Sequence, residues 1–354
     1  MKTNIVFSEM QYNQMPVKNR LVRSATFELA TTSDGGLTEE YLTIHHTLAK
    51  GGVGMIITGI TGIAKEGRVM PGMAYTMHPD YEKMLHKDAK NVESEGAKLI
   101  VQLCHCGMLS HPSCGKVLAP SAMGAAEAMS RVEIDNVVEQ YVVAAKVCER
   151  AGAHGVQIHA AHGFLLNQFL SPHFNQREDE YGGSIDNRCR LLCRIVKAVK
   201  EAISSSFAVL VKINQSDKMK GGMIFEEAIK VAKKLDESHV DGIEISCGLI
   251  GRKEGAPNRV ITRKEEEGYN FEAACRIAEN VNAPIFVVGG FRTFLDIESC
   301  LQKSKVKGIS LCRPLICEPD LTKKWRVDTT YQPRCKSCNQ CFMTNPLHCK
   351  IQKP

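Results

Sequence analysis

GVQIHAAHGFLLNQFLSPHFNQREDEYGGSIDNR, residues 155–188, begins with an apolar, β-branched run and closes that run on two histidines three positions apart, His159 and His162. A short run of this kind reads as a strand buried on both faces. The histidines then stand where a strand gives way to a loop. Metal ligation, a clamp on a substrate and plain packing all suit such a pair. What lies at the ends of the other strands decides between them.

Similar runs recur at residues 22–27, 53–60, 98–104, 208–215, 242–248, 284–290 and 307–313, which with 155–161 makes eight. Helical patterns separate them, among them LTEEYLTIHHTLAK (37–50) and EIDNVVEQYVVAAKVCERAG (133–152). Ser130 followed by Glu133 is a capping-box signature, and Gly152 stands where a helix tends to stop. Apolar strands alternating with helices give parallel strands covered by helices. Eight such units predict an α/β fold, a closed (β/α)8 TIM barrel. An open doubly wound sheet would want a G-x-G-x-x-G turn after an early strand, and none is present. Residues 1–20 are expected as a short N-terminal lid over the barrel bottom. The expected division is a barrel over 1–320 and a Cys-containing tail over 321–354.

The bulk numbers fit one soluble chain. A length of 354 residues suggests about two domains, but α/β barrels reach this length as one. The net charge of +6 comes without any long basic run, so no nucleic-acid partner is expected. The N-terminus lacks a signal-type apolar core, and no stretch approaches the roughly 18 apolar residues of a membrane span. The expectation is a cytoplasmic protein with no membrane partner. Cys148, Cys193, Cys275 and Cys300, among 15 cysteines, sit singly in apolar segments and read as reduced, buried thiols.

Catalytic residues of such barrels collect at the C-terminal ends of the strands, and phosphates bind after strands seven and eight. The seventh run ends in Gly289 and Gly290, which let backbone amides approach an anion, although paired glycines also simply turn a chain. Arg313, at the end of the eighth, can fork onto a phosphate. Lys212 closes an otherwise apolar run and should face an anion or a polarised carbonyl unless it snorkels to solvent. Gln102 offers a donor and an acceptor side by side, as a uracil-like edge requires, or serves as a core-edge amide.

These residues, with NRLVRSATFE, GGVGMIITGITG, VQLCHCG, APSAM, the 155–188 stretch, VVGGFR and CRPLICEPDL, resemble the Old Yellow Enzyme family of FMN-dependent NAD(P)H:flavin oxidoreductases over residues 1–320. The single-domain branch looks closest, with partial likeness to the 2,4-dienoyl-CoA reductases. The resemblance implies FMN as cofactor and NADH or NADPH as electron donor. It implies ping-pong reduction of the C=C bond of a small α,β-unsaturated carbonyl compound. Ser24, Ala25, Thr26, Phe27, Gly59 and Ile60 would lie along the flavin. Gln102 would meet its pyrimidine edge and Lys212 its N1 and C2 carbonyl end. Gly289, Gly290, Cys312 and Arg313 would surround the phosphate, with Cys312 where many relatives have Gly. His159 and His162 become the catalytic clamp on the substrate carbonyl. Two ligands are too few for zinc, and H-x-x-H lacks the adjoining Glu of a zinc protease.

Two further features depart from the family pattern. Phe164 stands where many relatives place a proton-donating Tyr, and Phe cannot donate. Cys104, Cys106 and Tyr75 are conceivable donors. Phe27 occupies a position that often holds Cys or Thr. A flavin barrel serving as an electron-transfer partner, and an FMN-free phosphate-binding barrel enzyme, are the alternative functions. In the tail, Cys335, Cys338, Cys341 and Cys349 have the close spacing that an iron–sulfur cluster or zinc requires, while reduced thiols without metal are the plainer reading. Homo-oligomerisation and a separate redox partner protein stay open. Loops 104–130 and 250–268 are expected to set substrate choice.

Overall fold

The strands β1 (Leu21–Arg23), β2 (Met55–Ile57), β3 (Lys98–Cys104), β4 (Gly155–Ala160), β5 (Ala208–Asn214), β6 (Gly242–Ser246), β7 (Ile285–Val288) and β8 (Gly308–Leu311) pair in parallel in chain order. β8 then pairs with β1 and closes the sheet. This computed structural model describes residues 4–252 and 255–351, so Lys253 and Glu254 of the 250–268 loop lie outside the described residues. The helices α1 (Glu39–Lys50), α2 (Tyr81–Ser94), α3 (Arg131–Arg150), α4 (Arg190–Ala202), α5 (Phe225–Glu237), α6 (Phe271–Ala278), α7 (Phe294–Lys303) and α8 (Leu321–Val327) follow the strands in turn. The fold is a (β/α)8 barrel.

Local chemistry sets the elements. At α3 the Ser130 hydroxyl accepts from the Glu133 amide and the Glu133 carboxylate accepts from the Ser130 amide, the reciprocal cap the spacing predicts. Gly152, at φ +83°, takes the left-handed turn that lets the chain leave the helix. The first strand is shorter than its apolar run. Beyond Arg23 the guanidinium bonds Thr26 and the Glu28 carboxylate (3.0 Å), and this folds residues 24–28 into a loop over the barrel mouth.

Alternate residues of each strand point into the barrel, and the interior changes character from bottom to top. Val22, Met55, Ile57, Ile100, Leu210 and Phe286 fill the lower layers. Tyr12, on a hairpin of Met10–Tyr12 and Met15–Val17, plugs the bottom edge-on against Phe286 at 5.5 Å. One step up, the same strand faces carry Ser24, Gln102, Gln157, His159, Lys212 and Glu244, all at most 3% exposed. The functional chemistry therefore sits on a closed apolar floor.

The tail begins later than residue 321. Helix α8 packs its fully buried Trp325 onto Phe294 of α7 and completes the outer ring, so it belongs to the barrel. Residues beyond it fold back over the barrel mouth. The Leu347 amide donates to the Glu28 carbonyl (2.8 Å), and Arg292 and Arg313 donate to the carbonyls of Cys335 (3.4 Å) and Ser337 (2.9 Å).

Candidate active site

Two adjoining chambers open above the polar layer, of about 400 and about 410 Å³, within the range of ligand pockets. Ala25, Thr26, Phe27, His162, Lys212 and Ile250 border both. Ser24, Gly290, Cys312 and Arg313 line only the first; Ile60, Gln102, His159 and Phe164 line only the second. Strand ends far apart in sequence thus meet at one place.

Gly59 and Gly289 are not among the lining residues. A side chain at Gly59 would run into the Thr26 carbonyl, and one at Gly289 would crowd the Asn270 amide at 3.1 Å. Both serve by close backbone approach. Gly290 does line the first chamber, at φ +80°, and any side chain there would strike Ile261 and Tyr269.

The first chamber suits an anion at its β7–β8 end. Cys312 is fitted there with its thiol 3.3 Å from the Thr26 hydroxyl. The Arg313 guanidinium donates to the carbonyls of Arg259 and Ser337 and to Asn339 Oδ1 (2.8 Å). All three bonds use Nη1, so its other two nitrogens remain for a ligand. Ser337 and Phe342 of the tail line this chamber too, a contribution that a reading of strand ends alone misses.

Beneath both chambers runs a buried relay. Gln102 Nε2 donates to Gln157 Oε1 (2.6 Å), and Gln157 Nε2 donates to Glu244 Oε2 (2.9 Å). Glu244 pairs with Lys212 Nζ at 3.2 Å and accepts from the Ser24 hydroxyl at 2.8 Å. Lys212 is 3% exposed, so it does not snorkel. Its counter-charge, Glu244, was missed in sequence, although an acid inside the apolar run GIEISCG is the same kind of signal as the lysine in AVLVKIN.

The histidines crown β4. Their rings meet edge-on at 5.1 Å, and Phe164 packs against His159 at 4.9 Å. His162 holds φ +65°, a costly conformation for a residue with a side chain, and shares a 2.7 Å hydrogen bond with Ser246 through Nε2. Ser246, also missed in sequence, fixes that ring's orientation. His159 is 3% exposed and its Nδ1 has no partner among the described residues.

Burial pushes both rings well below the ordinary histidine range. The Lys212 charge adds to this at His159, and His159 and Lys212 add to it at His162. They are neutral donors at physiological pH. His105, buried behind the chamber, is pushed down to about 4 by the same cause.

The stability consequence has a definite sign. Unfolded, each of the three histidines takes up a proton near pH 6.5. Folded, each does so only at lower pH. Their contribution is present above about pH 6.5 and is lost as pH falls toward the folded values. His45 runs the other way. Burial opposes its charge, but the Asp88 carboxylate at 2.7 Å outweighs burial and raises it. That contribution is present below about pH 6.5 and is lost as pH rises. Burial pushes His154 down as well, so with four against one the melting temperature should drop between pH 7 and pH 5. His105 alone accounts for on the order of 3 kcal/mol by pH 4. Thermal melts at the two pH values check this, and a flat or rising melting temperature on acidification would refute it.

No thiol or phenol lines the second chamber. Cys104 and Cys106 pack behind Phe164 with Met73, and burial pushes the Cys104 thiol well up. Tyr75 does not line it either. Val69, Met70 and Leu109 make the remaining wall apolar. Cys335, Cys338, Cys341 and Cys349 line a separate cavity of roughly 20 Å³ beside Arg313. Among the described residues, however, no three His, Cys, Asp or Glu side chains are grouped closely enough to hold a metal ion. Nor is any described helix long and apolar enough to cross a membrane.

This arrangement is shared with known proteins. Residues 6–330 match the NADH:flavin oxidoreductase / NADH oxidase family. An NADPH dehydrogenase of Geobacillus sp. (strain WCH70) is 30% identical over 322 residues, 89% of this chain and 92% of that one. A 4,4'-dithiodibutanoate disulfide reductase of Rhodococcus erythropolis is 26% identical over 380 residues, 97% of this chain and 93% of its own. Among solved structures, a 2-naphthoyl-CoA reductase complex superposes with a TM-score of 0.92 at 24% identity. It covers 99% of this chain, which spans 57% of that longer one. The fold, the paired chambers and these matches agree: the chain belongs to the NADH:flavin oxidoreductase / NADH oxidase family, the Old Yellow Enzyme family.

Proposed function

We propose that this FMN-dependent NAD(P)H oxidoreductase reduces the C=C bond of α,β-unsaturated carbonyl compounds. The observation that carries the reading is the neutral histidine pair, His159 and His162, in the wall of an apolar chamber. The residues present fit FMN. Gln102 and Lys212 stand ready for the pyrimidine end of the ring, Ser24 to Phe27 for its length, and Arg313 with Gly290 for the phosphate. The cofactor supplies the two-electron chemistry, accepting from NADH or NADPH and delivering to the acceptor that replaces it.

The protein's own part is electrostatic. His159 and His162 donate to the substrate carbonyl oxygen and stabilise the negative charge that grows there when the β-carbon is attacked. The apolar walls exclude water from that oxygen and strengthen the bonds. With Phe164 in the wall, the α-carbon proton comes from water at the chamber mouth. Small apolar enones suit this chamber.

An anaerobic absorption experiment tests the reading. The purified protein should show a flavin spectrum that bleaches with NADH or NADPH and returns on adding 2-cyclohexen-1-one. A bleached spectrum that no enone restores would remove C=C reduction and favour an electron-transfer role. A colourless protein that also refuses added FMN would remove the flavin reading altogether.

A further inference from the structure

Glu244 is a fully enclosed charge beneath the site. It sits at the centre of β6 with no exposed surface, between β5 and β7. A carboxylate there is tolerable only if its lone pairs are satisfied. Three donors satisfy them: the Ser24 hydroxyl at 2.8 Å, Gln157 Nε2 at 2.9 Å and Lys212 Nζ at 3.2 Å. Each donor leads on to a chamber wall. Ser24 begins the loop along the first chamber. Gln157 holds Gln102 by its amide nitrogen, which leaves the Gln102 carbonyl oxygen for a ligand. Lys212 borders both chambers.

We infer that Glu244 is a positioning residue that orients Lys212 and Gln102 toward the pyrimidine end of the flavin and lowers the reduction potential of the bound cofactor. This rests on the FMN reading above. Reduction places negative charge at the pyrimidine end of the ring. Lys212 by itself would favour that charge strongly in so enclosed a site. The Glu244 carboxylate, directly behind the ammonium, cancels part of its field. The pair still recognises the ring, but its pull on the reduced form is weaker, and electrons pass on to an acceptor more readily. A merely structural Glu244 would affect folding without moving the potential.

The expected result is specific. Glu244→Gln keeps the shape and removes the charge. It should favour reduced over oxidised bound FMN by at least tenfold, about 30 mV more positive for a two-electron couple. Sulfite, which adds to oxidised flavin and leaves negative charge on the ring, should bind at least tenfold more tightly. Glu244→Asp, which keeps the charge, should change either quantity by less than threefold. Dye-referenced anaerobic titration and sulfite titration read these directly. An FMN-loaded Glu244→Gln protein with the parent's potential and sulfite affinity would overturn the inference.

If Glu244→Gln does not fold, Lys212→Met and Lys212→Met/Glu244→Gln carry the test. The single variant, with its carboxylate alone, should hold reduced FMN at least tenfold less favourably than the uncharged double variant. Equal potentials would overturn the inference. A parent protein that takes up no FMN would remove the cofactor reading and this inference with it. A parent that takes up FMN, with variants that do not shift, would remove this inference alone.

Discussion

Replacing His159 and His162 together by Ala should cut enone turnover by on the order of 10³-fold while FMN stays bound. On the proposed reading the rings donate to the substrate carbonyl oxygen, and both are neutral because burial and Lys212 hold their protonation well down. A neutral donor loses nothing by meeting a neutral ketone and gains as that oxygen becomes negative, so the loss should fall mainly on kcat. Flavin binding should survive, since Gln102 and Lys212 stand on other strands and Arg313 opens the helical turn after β8. Phenols provide a readout independent of turnover. The parent should give a long-wavelength band with a phenol over oxidised flavin, and the double variant should give none. A double variant that kept the band would place the clamp elsewhere.

Lys212→Met should be the most destabilising single change at the site. It removes the counter-charge 3.2 Å from a carboxylate that has no exposed surface. Breaking a buried pair from one side costs about 3–5 kcal/mol, because the remaining charge keeps its full desolvation penalty. The melting temperature should drop by on the order of 10 °C. Adding Glu244→Gln should recover most of that loss, since two neutral partners need no counter-charge. A double variant no more stable than Lys212→Met would show that the two side chains are not energetically coupled.

All eight strands lie within the apolar runs or one residue outside them, and the third matches its run end for end, Lys98–Cys104. Strands buried on both faces must be apolar throughout, so a parallel barrel shows itself as continuous runs. For the same reason the runs hide which residues face inward. Glu244 and Gln157 lie inside two of those runs, and nothing in a periodicity of two tells an inward residue from an outward one when both sides are apolar. The register that sets Lys212 level with His159 on one side and Glu244 on the other exists only once the barrel closes. Phe164 illustrates the converse. Its identity ruled out proton donation from the sequence alone, but that Cys104, Cys106 and Tyr75 fail to replace it follows from packing.

The sequence by itself determined the barrel and most of the chamber's walls, because those follow from strand periodicity and from polar side chains at strand ends. The tertiary structure decided the rest. It set the charge balance at Lys212, the orientation of His162 by Ser246, the docking of residues 337–347 over the mouth, and the convergence of the four tail cysteines on one small cavity beside Arg313. Each of these depends on which distant residues come within about 3 Å, and hydrogen bonds and ion pairs act only at that range.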